Sequence, residues 1–385
     1  MATQKRTVGT VLASLTVGAL IVAVCAFCIF LLNGGTWSSS ESSGGATHEV
    51  TDSVGRAVQV PDDPQNIAAL DSFSGSVAVL AGAGEKLMGA PGGVISNEML
   101  AEVYPDLGTL DQLSGNAINV ETLLAANVDV ALVKRDLYDN GEETAKLDRM
   151  GIPYVVVDYD TLEGQMDAIR LVGEVCGPDA REKANGIADY YQQTVDMVED
   201  RAAQLEESER VSVYHSINDP LLTDGADSLG ADWMERAGAV SISAQEEGKG
   251  GTGDYTATLE QVYAWNPDVV VCSTADAKEA ILADDQWQGL DAVESGNVYN
   301  LPVSTSRWGQ RGDPETFLGM LWLGKTLYPD LYADIDLKQT VVAYYRDVIG
   351  LEVDDALWDA IVSGTGLRAE GSGGGAGDGS GGGGL

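Results

Sequence analysis

Two periodicities divide the chain. Between Glu49 and Val60, apolar and polar residues alternate on both sides of Asp52-Ser53-Val54-Gly55, which predicts a β-hairpin closed by a tight turn. Predominantly apolar runs at Ile67–Leu70, Val128–Val133 and Tyr154–Val157 predict buried strands, and segments near Gly75–Gly84, Glu121–Ala126 and Glu142–Met150 carry helical spacing between them. Strands alternating with helices imply a mostly parallel sheet covered by helices.

The same order returns further on, with strands expected at Arg210–Tyr214 and Val269–Cys272 and helices at Leu229–Ala237 and Thr258–Trp265. One segment repeats without a gap: Glu121, Ala125, Asn127, Asp129 and Val130 recur as Glu260, Ala264, Asn266, Asp268 and Val269, each pair 139 positions apart. Any helix feeding a buried strand has this outline, but identities at a single offset point to two related halves. Between the halves, Pro178–Leu205 has apolar or aromatic residues at 184, 187, 188, 191, 195, 198, 202 and 205, a helical stripe opened by Pro178 and Asp179. Such a helix is about 40 Å long at the standard rise, a strut that predicts modest twisting of the halves rather than wide hinge motion.

The ends follow other rules. Val8–Leu32 is uncharged and directly follows Lys5 and Arg6; a run of that length reaches roughly 37 Å as a helix, enough to cross a hydrocarbon core of about 30 Å. Residues 1–32 are therefore expected to anchor the chain in the cell membrane, with the basic flank cytoplasmic and everything after Asn33 extracytoplasmic. Lipidation at Cys25, behind Val22-Ala23-Val24, and ordinary signal cleavage are the alternatives. Residues 33–46 read as a flexible tether and 371–385 as a disordered glycine-rich tail. Between them lie an expected N-terminal lobe (47–177), a connecting helix (178–208) and a C-terminal lobe (209–370).

Charge and composition narrow the function. A net charge of −38, from 60 acidic and 22 basic residues, repels a phosphate backbone, so nucleic acid is excluded as a partner. Cys25 and Cys28 lie in the apolar run, and Cys176 and Cys272 in different halves, so no disulfide framework or zinc spacing exists. With His48 and His215 as the only histidines, a multi-imidazole metal site cannot be assembled, and no Ser, His and Asp set is apparent for hydrolysis. No enzyme activity and no resident cofactor are expected.

The hairpin, the two Glu-containing repeats, the single connecting helix and the closing strings Gly296-Asn297-Val298-Tyr299 and Leu321-Trp322-Leu323-Gly324-Lys325-Thr326-Leu327-Tyr328-Pro329 together resemble the periplasmic-binding-protein class that delivers ferric siderophores, haem and cobalamin to ABC importers. The resemblance covers about Glu49 to Ser363. It implies an α/β fold of two Rossmann-like lobes with mostly parallel sheets, joined by one long α-helix, with the ligand cleft between the lobes. It further implies a monomer that works with an ABC permease and its ATPase, with a glutamate on each lobe pairing with permease arginines. Those glutamates match Glu121 and Glu260; acid in a helix's first turn is also favoured by the helix dipole alone.

Ligands of open α/β sheets sit beyond the strand ends. The loops expected there contain Ser72, Phe73, Gly92, Gly93, Lys134 and Arg135 in the first half, and Tyr214, His215, Asp254, Tyr255, Arg307, Trp308 and Arg311 in the second. Paired cations in so acidic a chain suggest an anionic ligand, in the first place an iron-siderophore-type metal complex, with cobalamin, haem or an oxyanion as alternatives. A cell-surface receptor or adhesion protein is the rival class. Gly319–Thr326 spells a phosphate-loop pattern but reads as the continuation of a helix starting at Asp313 and Pro314, and Arg311-Gly312-Asp313 is an adhesion tripeptide short enough to arise by chance.

Overall fold

The computed structural model describes residues 46–246, 251, 253–364 and 367; the expected anchor, the tether up to residue 45 and the glycine-rich tail lie outside them. Among the described residues no helix is long and apolar enough to cross a membrane.

Lobe one is built on a parallel sheet in the order β5-β4-β3-β6-β7, comprising β3 (Ile67–Ala69), β4 (Leu87–Ala90), β5 (Asp111–Gln112), β6 (Val130–Lys134) and β7 (Tyr154–Val157). Its exposed edge is covered by the predicted hairpin, β1 (Thr47–Thr51) and β2 (Ala57–Pro61). At the hairpin turn, Ser53 donates its amide to Val156 and the Asp52 carboxylate accepts from the Val156 amide, so β7 has no free ladder to offer another chain. Lobe two has a parallel sheet in the order β10-β8-β12-β13: β8 (Ser212–Ser216), β10 (Val240–Ser241), β12 (Val269–Cys272) and β13 (Val298–Asn300). Beside it β9 (Leu222–Asp224) and β11 (Asp254–Thr256) pair antiparallel.

Strand periodicity sorts the side chains of each sheet. Val130 and Leu132 face one layer of helices, Ala131 and Val133 the other, and Val213 and Tyr214 part in the same way in lobe two. One apolar core is shared: it runs from the inner face of lobe one through the connecting helix into lobe two.

The connecting helix spans Pro178–Ala202, ending short of the expected Leu205, and buries Ala184, Ile187, Ala188, Tyr191, Val195, Val198 and Ala202 along its stripe. It is not a lone strut. The helix Leu162–Cys176 folds back along it after Gly177, whose φ of 108° reverses the chain. The two approach so closely that a Cβ on Gly173 would overlap that of Ala184. On another side lies the helix Thr316–Leu327, with the Phe317 ring 4.8 Å from Tyr191. This last helix starts at Thr316 and not at the expected Asp313 and Pro314, because the Asp313 carboxylate is taken up by the Gly309 and Glu315 amides of the preceding turn.

The internal repeat has a structural cause. Asn127 and Asn266, at φ 51° and 42°, are the only non-glycine residues at positive φ among those described, and each turns the chain from its helix toward the following strand. Asp129 then accepts from the Gln65 and Asn66 amides leading into β3, and Asp268 from the amide and hydroxyl of Ser212 opening β8. Both halves thus stitch the central strand to its neighbour with the same residue. Glu121 and Glu260 stand exposed in the first turns of the helices Val120–Ala125 and Leu259–Trp265, and neither carboxylate has a side-chain partner among the described residues.

Candidate functional site

Polar contacts between the lobes form two main groups: one ties Arg236 to Glu163 and Asp232 to the Leu162 amide, and the other lies on the segment after β13, residues 304–313. Arg311 reaches lobe one with both guanidinium nitrogens, Nη2 at 2.8 Å from Asp158 and Nη1 at 2.6 Å from Asp160. Between those acids, Tyr159 accepts from the Gly312 amide at 3.1 Å, lies under the Arg311 guanidinium at 5.8 Å, and packs its ring 4.5 Å from Phe73. Gln165 donates to the Asp313 carbonyl at 2.7 Å, and Asn97 to the Ser304 and Thr305 carbonyls at 3.0 and 3.1 Å. Asp158 also faces Arg135 at 3.8 Å. Exclusion of water holds Asp158 above the usual carboxylate range, although Arg311 and Arg135 pull the other way.

The structure thus brings together Arg135 and Arg311, from different lobes, on one carboxylate. Arg135 is mainly held by Asp139 at 2.9 Å, and half-buried Lys134 lies 3.9 Å from Asp136. Arg307 is half-buried and donates to Gln310, which in turn reaches Asn218 in the loop after β8. Tyr255 donates its hydroxyl to the Ser243 carbonyl and is half-buried, as are Ser72 and Gly92; Gly93 is exposed.

Four expected cleft residues are built into the core instead. Tyr214, 0% exposed, points to the outer face of its sheet and bonds the Pro220 carbonyl, because a residue beside the inward Val213 must turn outward. Trp308, also 0% exposed, donates its indole N–H to Ser304, and Phe73, at 3%, fills the space beneath Tyr159. Neither ring is free to stack on a ligand. His215 is 2% exposed, with Nδ1 at 2.6 Å from Asp224 Oδ2 and Nε2 at 2.8 Å from Ser273 Oγ, so both ring nitrogens are used.

This last arrangement overturns the expectation that no Ser, His and Asp set exists. The order matches a hydrolytic triad. The Ser273 hydroxyl is nevertheless buried with its strand, leaving no approach for an acyl carbon, so the set is read as a charged structural cluster. Burial pulls the His215 pKa down, but Asp224, by charge and hydrogen bond, and then Asp254 lift it above its ordinary value. The exclusion of water around Asp254, though its side chain reaches solvent, pushes that carboxyl up to about 6; Asp224 adds to this, and His215 and Arg311 oppose it.

A raised carboxyl means that the folded chain holds the proton more tightly than the unfolded one. Stability from Asp254 is therefore fully present below the unfolded value of about 3.9, and is lost as pH rises through about 6. Asp254→Asn is expected to raise stability at pH 7.5 by about 1 kcal/mol after solvent screening and to flatten the dependence between those values. Thermal melts of both proteins at pH 7.5 and 5 check this, and a less stable variant at pH 7.5 would refute it.

Asp158, Asp160, Asp224 and Ser273 were not singled out from the sequence. Asp158 and Ser273 directly follow β7 and β12, so the strand-end rule that selected Lys134 reaches both once the strands are placed. The two short motifs set aside from the sequence are also resolved. Gly319–Thr326 lies within one continuous helix, and Asp313 of the adhesion tripeptide is wholly buried.

Residues 67–305, which include both parallel sheets and the connecting helix, match the profile of the periplasmic binding protein family. The chain belongs to that family. It is 27% identical over 338 residues to the molybdate-binding protein MolA of Haemophilus influenzae, covering 80% of this chain and 93% of that one. It is 23% identical over 291 residues to an uncharacterized ABC transporter substrate-binding lipoprotein of Bacillus subtilis, covering 74% and 87%. Among solved structures, MolA bound to molybdate superposes with a TM-score of 0.71 at 25% identity, covering 80% of this chain and 99% of MolA. Helicobacter pylori CeuE with Ni(II) bound superposes with a TM-score of 0.68 at 19% identity, covering 82% and 99%, and shares the fold. This periplasmic binding protein is therefore an ABC-transporter substrate-binding protein of extracytoplasmic type, which works with a permease and its ATPase.

Proposed function

We infer that the protein captures a compact anion, of the oxyanion class, between its lobes and hands it to an ABC permease. The observation that carries this reading is the Arg311 guanidinium, held across the lobes by the Asp158 and Asp160 carboxylates. A planar cation already bridged by carboxylate oxygens can exchange them for the oxygens of a bound anion. Direct side-chain bonds between the lobes at this point favour a small ligand over a bulky one, and the molybdate-bound relative supports the same class. Arg307 and Arg311 are assigned to the anion, with Lys134, Arg135, Tyr255 and Ser72 around it; Glu121 and Glu260 are assigned to the permease. The N-terminal segment is assigned as the membrane tether.

A thermal-shift panel on the full chain in detergent, with molybdate, sulfate, a ferric siderophore, haem and cobalamin, tests the ligand class. A ligand at a thousand times its Kd stabilises by about 4 kcal/mol. Molybdate or a related oxyanion is expected to shift the melt, and Arg311→Ala with Arg307→Ala to weaken its binding at least about tenfold. A shift with the siderophore, haem or cobalamin and none with the oxyanions replaces the oxyanion class with that ligand.

A further inference from the structure

We propose that His215, clamped between Asp224 and Ser273, is a proton-binding switch that couples anion capture to proton uptake, so that the ligand binds more tightly as pH falls. The inference rests on the oxyanion reading of the cleft and adds its regulation.

The geometry comes first. His215 lies on β8 and is met from three neighbouring elements by groups that sense its charge or its protons. Asp224 on β9 takes Nδ1 at 2.6 Å, and Ser273 after β12 meets Nε2 at 2.8 Å. From β11 comes Asp254, opposite Asp224 in the hairpin register, and Arg311 acts on Asp254 from the segment 304–313. Trp233, from the helix Leu229–Arg236, presents its ring at 6.5 Å and carries no charge. An Asp carboxylate accepts only, so Nδ1 carries a proton in either charge state and the switch lies at Nε2. With Nε2 bare, the Ser273 hydroxyl donates to it; with Nε2 protonated, the imidazolium donates to Ser273 Oγ and the hydroxyl proton must turn elsewhere.

The electrostatics give the direction. With His215 neutral and the pH above about 6, the Asp224 and Asp254 carboxylates stand uncompensated on the hairpin whose Asp254 feels Arg311, and an incoming anion meets their repulsion. Protonation of His215 cancels one of them inside the protein, where a charge several ångströms away alters affinity by about tenfold. The raised affinity of His215 for its proton agrees with this arrangement. An anion bound near the cluster must in turn raise that proton affinity further, because the coupling is reciprocal.

The full chain in detergent permits a direct test, since His48 and His215 are its only histidines. Isothermal titration of molybdate at pH 6.0 and 8.0, in two buffers of different ionisation enthalpy, counts the protons taken up. The expected result is binding about tenfold tighter at pH 6.0 with net proton uptake, and nitrogen-15 NMR of the histidine rings showing both His215 nitrogens protonated at pH 6.0. His215→Gln, checked for folding by circular dichroism, is expected to keep only the smaller pH dependence that Asp254, raised to about 6, contributes. Proton-free, pH-independent binding to the unaltered chain overturns the proposal without recourse to any variant, as does a neutral His215 at pH 6.0. Molybdate binding with unchanged pH dependence in a folded His215→Gln overturns it while leaving the oxyanion reading intact. No oxyanion binding at either pH overturns both.

Discussion

Replacing Glu315 with alanine is expected to cost about 3 to 5 kcal/mol of folding stability. Glu315 is wholly buried just ahead of the helix Thr316–Leu327, and no cation among the described residues pairs with it. Hydroxyl groups hold it instead: Ser304 at 2.6 Å, Thr305 at 2.7 Å, and Tyr345 at 2.7 and 2.8 Å from its two oxygens. Burial pushes its pKa up more than these donors lower it. Truncation orphans three buried hydroxyls at once, in a neighbourhood where the Tyr344 hydroxyl already lacks a partner. It also frees the Ser304 and Thr305 backbone that Asn97 grips from lobe one, so the contact between the lobes should loosen with the core. Glu315→Gln keeps the volume and one acceptor and should cost about 1 kcal/mol. Urea denaturation of the three proteins separates these cases, and an alanine variant no weaker than the glutamine one would show that the hydroxyl network contributes little.

The fold was legible because its signals are local. The stripe from Ala184 to Ala202 marks the connecting helix, and the Asn and Asp of the repeat mark a helix-to-strand turn that both lobes use. Side-chain direction at a strand end was less legible. Tyr214 and His215 sit on the same strand one residue apart, and the parity that buries Val213 inward also sends Tyr214 outward. The site's pairings lie far apart in sequence. Ser273 is 58 residues from His215, and Asp158 and Asp160 are 153 and 151 residues from Arg311. No periodicity connects such positions; only the stacking of strand ends at one rim of each sheet does. The same distance hides the Ser, His and Asp set in the sequence, where the two histidines can be counted but not placed.

The second large effect concerns transport rather than stability. Glu121→Ala combined with Glu260→Ala is expected to reduce ATP-coupled uptake at least about tenfold while leaving ligand affinity and melting temperature unchanged. Each carboxylate is exposed, has no side-chain partner among the described residues, and sits in the first turn of a helix that leads into an inner strand of its lobe's sheet. Removing an unpartnered surface acid costs folding little. The neighbouring identities of the repeat have internal duties: Asn127 and Asn266 turn the chain, and Asp129 and Asp268 hold the adjacent strands. Glu121 and Glu260 have none among the described residues, which agrees with the proposed docking to a permease. Two charge-assisted contacts, one per lobe, let a permease sense the spacing of the lobes, and a single substitution should therefore lose most of the uptake that the double one loses. Uptake assays with the reconstituted permease, paired with ligand binding to the isolated chain, distinguish the outcomes. Intact uptake in the double variant removes both residues from the docking surface, whereas parallel loss of uptake and of ligand binding would assign them to the lobes' own structure.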